Sequence, residues 1–241
     1  MKAVFIAWQD PDSRRWVPVG RLTVKGQAYQ FVYTQGALCS ANFRAFGAMS
    51  DLHSLYESST LFPLFSNRLL SKNRPEYHAY LRWLNIKAEI SDPLDELAKT
   101  GGIRATDSLI VFPCPEPQED GRYSISFFGH GIRYLPHESQ QWVEQLEPGR
   151  RLYLMLDNQN EQDTLAIAMR TEPVMVVGYV PRYFAEDFRK IMEGKIADTI
   201  RVQVDKVNHD APIQMRLLCT LRSAWPEGFS PCSGDLYTPL A

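Results

Sequence analysis

The chain has 241 residues, 44% of them apolar and 12% aromatic, which is enough for one large domain or two small ones with packed cores. Collagenous, disordered and disulfide-scaffold classes are excluded. The 26 Lys and Arg against 28 Asp and Glu give a net charge of −2, which does not suit a protein that coats nucleic acid nonspecifically or lies on an anionic membrane. No window approaches the roughly eighteen apolar residues of a spanning helix. Residues 1–6 reach polar Gln9, Asp10 and Asp12 too soon for a secretory signal, so a soluble, cytoplasmic chain is expected.

The first third opens with β-rich runs at 3–8, 16–24 and 29–34, separated by turn signals at Asp10-Pro11-Asp12 and Lys25-Gly26-Gln27. The economical arrangement is a three-stranded antiparallel meander. From Leu61 the period changes. Leu61, Phe62, Leu64, Phe65, Leu69 and Leu70 crowd one face, and Tyr77, Tyr80, Leu81 and Leu84 follow the break at Arg74-Pro75, predicting two short helices. Asp92-Pro93 reads as an N-cap with proline in the first turn, and Gly101-Gly102 as the stop. A strand is expected at 108–112, followed by a proline-rich acidic loop at 113–121.

The second half reads mostly as strand, at 122–128, 151–156, 164–170, 174–179, 200–207 and 214–221, with helices at 138–146 and 182–192. Six such strands suit a small closed or nearly closed barrel. The fold expected is therefore mainly β with short helices (α+β). The domains are 1–100 (strands and helices), 101–121 (connecting strand and linker), 122–230 (barrel) and 231–241 (tail). Residues 1–100 hold 12 Lys and Arg against 9 acids, and residues 101–241 hold 14 against 19. Any anion site in the second half must therefore be local.

Enzyme signatures are absent from the sequence. It has no phosphate loop, dinucleotide fingerprint, His-Glu-x-x-His or Gly-x-Ser-x-Gly elbow. Pro231-Cys232-Ser233-Gly234 lacks the first glycine of such an elbow. Glu186 and Asp187, with Arg189 and Lys190 close behind, read as a solvated helix face. Cys39, Cys114, Cys219 and Cys232 lie at no zinc-ligand spacing with the five His residues. No catalytic residue, metal or cofactor is expected, and the chain reads as a non-enzyme.

Three stretches of the second half are odder. Gly129-His130-Gly131-Ile132-Arg133-Tyr134 frees the backbone and then offers a planar cation beside an aromatic face, although a tight turn or bulge accounts for it too. The polar run from Asp157 to Asp163 reads as a self-capped hairpin turn or as a set of donors and acceptors for a hydroxyl. Val177-Gly178-Tyr179-Val180-Pro181-Arg182 leads a strand into a helix start, an ordinary connection or a place for a phosphate.

These three motifs stand in the order and spacing of a HIRAN domain, which the chain resembles over about residues 122–222. HIRAN domains occur at the N-termini of Swi/Snf-type translocases that remodel stalled replication forks, and as stand-alone bacterial proteins. The resemblance implies an oligonucleotide-binding-like β-barrel that grips the 3′ end of single-stranded DNA, in a repair, replication or defence context. It implies that Arg133 and Tyr134 contact the terminal nucleotide's backbone and base, that Asn160 and Asp163 address its 3′ hydroxyl, and that Arg182 meets a phosphate. End-binding relatives carry a stacking aromatic where this chain has Gln162, a loss of about 1–3 kcal/mol that Tyr179, Tyr134 or Tyr183 would have to offset. Tyr179 is counted with the DNA-binding residues. With two phosphates neutralised, the salt slope for a single strand is expected near −1.4, at roughly −0.7 per phosphate, a small footprint and no long track.

The first 85 residues, with Leu61-Phe62-Pro63-Leu64-Phe65-Ser66-Asn67-Arg68-Leu69-Leu70, are similar to the N-terminal subdomain of HipA-type toxin kinases. No kinase core follows, so phosphoryl transfer is not implied. The similarity implies an alternative role, as a protein-interaction or antitoxin-like partner subunit of such a kinase or of a nucleic-acid enzyme. For 61–70 itself an ordinary core helix is the preferred reading, ahead of a partner surface.

Overall fold

The structure is a computed structural model that describes residues 3–104, 106–194 and 196–241. It divides into two compact units, residues 1–114 with 230–241, and residues 115–229. Both are mostly β with short helices, each built on its own antiparallel sheet.

The first unit holds a five-stranded sheet in the order β4-β3-β2-β1-β5. β1 (Ala3–Gln9), β2 (Trp16–Lys25) and β3 (Ala28–Tyr33) form the expected meander, turned at Gly26 with φ 62°. β4 (Tyr56–Ser58) is a strand that the sequence does not announce, because three residues carry no alternation to detect. α1 (Pro63–Ser66) is one turn where the apolar crowding predicts a longer helix; the segment serves the core instead, with Phe65 fully buried. α2 (Tyr77–Trp83) follows the proline break.

α3 (Pro93–Thr100) begins and ends as its sequence signals predict. The Asp92 carboxylate accepts the Leu94 N–H at 2.7 Å, and Gly101 turns left-handed at φ 72°. Its Leu94 and Leu97 pack with Val4, Ile6, Leu22, Phe31 and Val111. β5 (Leu109–Pro113) falls where a strand is expected and pairs along β1 as an edge strand. The tail at 231–241 also belongs to this unit. Leu240 N–H donates to Tyr33 O at 2.9 Å, and the Tyr237 ring meets Phe5 edge-on at 5.0 Å.

The second unit is a six-stranded antiparallel sheet curled into a half-barrel, in the order β6-β11-β10-β7-β8-β9. The strands are β6 (Arg122–Phe128), β7 (Arg151–Leu156), β8 (Ile167–Arg170), β9 (Val176–Tyr179), β10 (Arg201–Val207) and β11 (Leu217–Ala224). The helices are α4 (His137–Glu144) and α5 (Arg182–Glu193). Period-2 alternation sends Tyr123, Ile125, Phe127, Leu152, Val202, Val204, Cys219 and Leu221 to the concave face, where Phe184, Phe188 and Ile191 of α5 cover them. Burial pushes the Cys219 thiol's pKa well up, as suits a core thiol.

The two outer strands of the curl come together at their ends. His130, just past β6, exchanges both backbone hydrogen bonds with Tyr179 of β9, each 2.9 Å. β8 starts three residues later than the pattern suggests, because 164–166 are held in the preceding loop, where Ala166 N–H donates to Asp163 O at 3.0 Å. That closure and that loop build the candidate site.

Candidate functional site

The Gly129–Tyr134 segment folds as its glycines allow. Gly131 takes φ 73°, and a Cβ there would lie 3.1 Å from the Tyr179 ring, so a side chain would be strained by conformation and crowded against that ring. A single 3-10 turn, Ile132–Tyr134, then buries Ile132 and turns Arg133 and Tyr134 outward. Tyr134 is 84% exposed, and the Arg133 guanidinium sits 5.9 Å from its ring centroid. An aromatic this open gains nothing from burial in the fold, so its contact surface is presented to solvent.

The 157–163 loop is a self-capped turn organised by its own side chains. Asp157 Oδ2 accepts from Asn160 Nδ2 at 3.1 Å and from the Tyr179 hydroxyl at 3.0 Å. Asn160 Oδ1 accepts the backbone N–H groups of Gln162 and Asp163, at 3.1 and 3.0 Å. Asp163 Oδ1 accepts the Leu165 N–H at 3.0 Å, and its Oδ2 lies 3.3 Å from Arg182 Nε. Arg189 of α5 ties the far side down, donating to Asn158 Oδ1 and to Thr164 O, both at 3.3 Å.

Four of the six sequence-named residues, Asn160, Asp163, Tyr179 and Arg182, are thereby joined by hydrogen bonds or an ion pair through Asp157, and Arg133 and Tyr134 stand on the turn that follows Gly131. Tyr179 meets Asp157 and Gly131, Asn160 meets Asp157 and the Asp163 backbone, Asp163 meets Arg182, and Tyr134 follows Gly131 by three residues. Arg133 contacts Tyr134. The structure narrows what each can offer. The Asn160 carbonyl is taken by the backbone, which leaves the second N–H of its amide as the group it can offer a ligand. Asp163 keeps one carboxylate oxygen, shared with Arg182.

Of the three tyrosines named as substitutes for the aromatic absent at Gln162, Tyr134 alone is widely exposed. Tyr183 packs on Phe184 at 4.6 Å and on His130 at 6.2 Å, and burial drives its phenol pKa upward. Tyr179 is half-buried, and burial with the adjacent Asp157 raises its pKa, so it stays a hydroxyl donor. Burial lowers the His130 pKa to about 4, so its ring is neutral near pH 7 and adds no charge here. Sequence reasoning missed Asp157 as the hub and Arg189 as the clamp. Arg189 lies 31 residues after Asn158 in sequence, and no local signal links the two.

Residues 122–222 match the family model described as the HIRAN domain, less than half of the chain. Two solved structures are similar. One is the crystal structure of the HIRAN domain of human HLTF, 18% identical, with 44% of this chain and 81% of that chain covered and a TM-score of 0.33. The other is a protein from Lactobacillus plantarum, 19% identical, covering 43% of this chain and 97% of that one, with a TM-score of 0.32. No curated protein matches. The family match does not extend into the first unit, and every side chain of the loop network lies inside it: the stretch 122–222 is the part of this chain that matches the HIRAN family.

Proposed function

We propose that the second unit is a non-enzymatic nucleic-acid-binding module that holds the 3′ end of a single DNA strand. The observation that carries this is the run of contacts from the turn that bears the open Tyr134 and Arg133, through Gly131, Tyr179 and Asp157, to the self-bonded polar loop ending in the Asp163–Arg182 pair. An exposed ring supplies a stacking surface worth about 1–3 kcal/mol per base. A guanidinium beside it supplies phosphate contact.

Selection of an end follows from the polar groups. A terminal hydroxyl can donate to Asp163 Oδ2 and accept from the Asn160 amide. An internal nucleotide or a 3′ phosphate puts negative charge against the same carboxylate, which leaves a desolvated polar group opposed instead of paired. The loop is already held by its own hydrogen bonds, so little ordering cost is added on binding.

The test is a fluorescence-anisotropy titration of short single strands ending in a 3′ hydroxyl or a 3′ phosphate. The hydroxyl form is expected to bind more tightly, and Asp163→Ala and Arg133→Ala each to weaken it. Equal affinity for the two ends would remove end selection, and no binding at low salt would remove the module's assigned role.

A further inference from the structure

The convex face of the second sheet carries a row of arginines, of which Arg170 and Arg201 also donate to backbone carbonyls at the strand ends. Along β7, Leu152 and Leu154 turn to the core, while Arg151, Tyr153, Met155 and, just past the strand, Asp157 share the opposite face. Register extends that face sideways. Tyr153 stands opposite Arg170 on β8, Arg151 opposite Gln203 on β10, and Arg201 opposite Arg222 on β11. The Arg151 and Arg170 guanidiniums both lie over the Tyr153 ring, 4.8 and 5.1 Å from its centroid.

Like charges directly opposite one another, as Arg201 and Arg222 are, destabilise a sheet. The acids at this face, among the described residues, are Asp157, which accepts the Tyr179 hydroxyl, Glu172, 2.9 Å from Arg170, and Asp205, which accepts the Thr220 hydroxyl. Four guanidiniums therefore meet three carboxylates on a surface that belongs to the half of the chain with 14 basic and 19 acidic residues. Arg151, Arg201 and Arg222 are exposed. An extended polyanion would relieve the repulsion of the whole row.

The row also leads into the loop site. Asp157, which the Tyr179 hydroxyl bonds, is two residues beyond Met155 on the same face. From Arg151 to Asp157 is six residues, about 20 Å at ~3.3 Å per residue. Met155, 38% exposed, lies between them as an apolar surface.

We propose that this face is a second DNA contact, along which a single strand runs back from the 3′-end site over β7 toward Arg151, Arg170, Arg201 and Arg222. It rests on the reading of the loops as an end site. The arginines neutralise phosphates. Tyr153 is a positioning residue, because its ring holds two guanidiniums in place and so reduces the side-chain freedom lost on binding.

The experiment compares 3′-hydroxyl single strands of about three and about twelve nucleotides, one below and one within a single barrel's usual site size, by anisotropy on the full chain over a range of salt. The longer strand is expected to bind more tightly. Arg151→Gln with Arg170→Gln is expected to remove most of that gain and to make the salt slope shallower by about 1.4, at roughly 0.7 per phosphate contact. Preference for a 3′ hydroxyl over a 3′ phosphate should survive in that variant. Tyr153→Leu should weaken long-strand binding with the salt slope kept. Unchanged melting temperatures identify these as binding effects; if the double variant unfolds, Arg201→Gln with Arg222→Gln reads the same slope. A long strand that binds no better than a short one, or an unchanged slope, overturns the second contact and leaves the end site standing. Absence of binding at both lengths removes both.

Discussion

The two units use the same architecture, an antiparallel sheet with helices over one face, and dispose of their polar groups in opposite ways. In the first, polar side chains are turned inward and consumed. Glu96, 2% exposed, accepts the Tyr77 hydroxyl at 2.9 Å and the Ser91 hydroxyl at 2.5 Å, and Arg68 reaches both Gly102 O and Asp107. Its rings are gathered too, with Phe31 touching Tyr33, Phe46, Tyr56, Phe62 and Phe65. In the second, a network of similar size ends at the surface, beside an exposed ring and below a face of arginines. A polar group that is hydrogen-bonded inside a core holds the fold together, whereas one left half-satisfied at an edge is available to a ligand.

The largest expected effect that sharpens this contrast is on the first unit. Phe31→Ala removes a fully buried ring at the centre of the aromatic cluster and should cost about 3–5 kcal/mol of stability, read by urea unfolding. DNA affinity measured below the transition should not move. A parallel loss of affinity would show that the first unit takes part in binding.

The next effect is set by pH. Asp187 of α5 is buried, and that burial, with Glu186 adding to it and Lys190 opposing it, raises its pKa to about 6. Between about pH 4 and pH 6 the folded chain keeps a proton that the unfolded chain has lost, so this group lowers stability as pH rises. His130, at about 4 when folded and ~6.5 when unfolded, acts oppositely, its contribution growing from about pH 4 to pH 6.5. Asp187→Asn should leave the His130 contribution alone. The variant should match the parent near pH 4 and exceed it by about 2–3 kcal/mol at pH 7, since each tenfold change in proton affinity between folded and unfolded chain is worth ~1.4 kcal/mol. An equal difference at both pH values would show that Asp187 is not held protonated.

The smallest effect belongs to the exposed site and mirrors the first. Tyr134→Ala should cost about 1–3 kcal/mol of single-strand affinity while leaving the melting temperature within error. If stability falls and affinity holds, Tyr134 serves the fold and the contrast between the units fails.

Most of the strands were legible because alternation is a local property, and so were the caps of α3, where Asp92, Pro93 and Gly101 act on their immediate neighbours. Features that depend on distant residues were not. β4 exists only because β3 offers it an edge, and the tail joins the first unit through Tyr33. At the site, the sequence named the residues of three loops, and tertiary structure decided what they can still offer. It committed the Asn160 carbonyl and one Asp163 oxygen to the loop itself and placed Tyr183 against Phe184.

Composition determined that the chain has enough apolar residues to pack a core, and period and turn chemistry determined which segments are strands, since alternation and turns are written over a few adjacent residues. Register and curl decided the rest. Arg151, Arg170, Arg201 and Arg222 are scattered over 72 positions in the chain, and a net charge summed along that stretch conceals them. Only strand pairing, which matches residues by hydrogen-bond register and not by proximity in sequence, gathers them on one face beside the loop network.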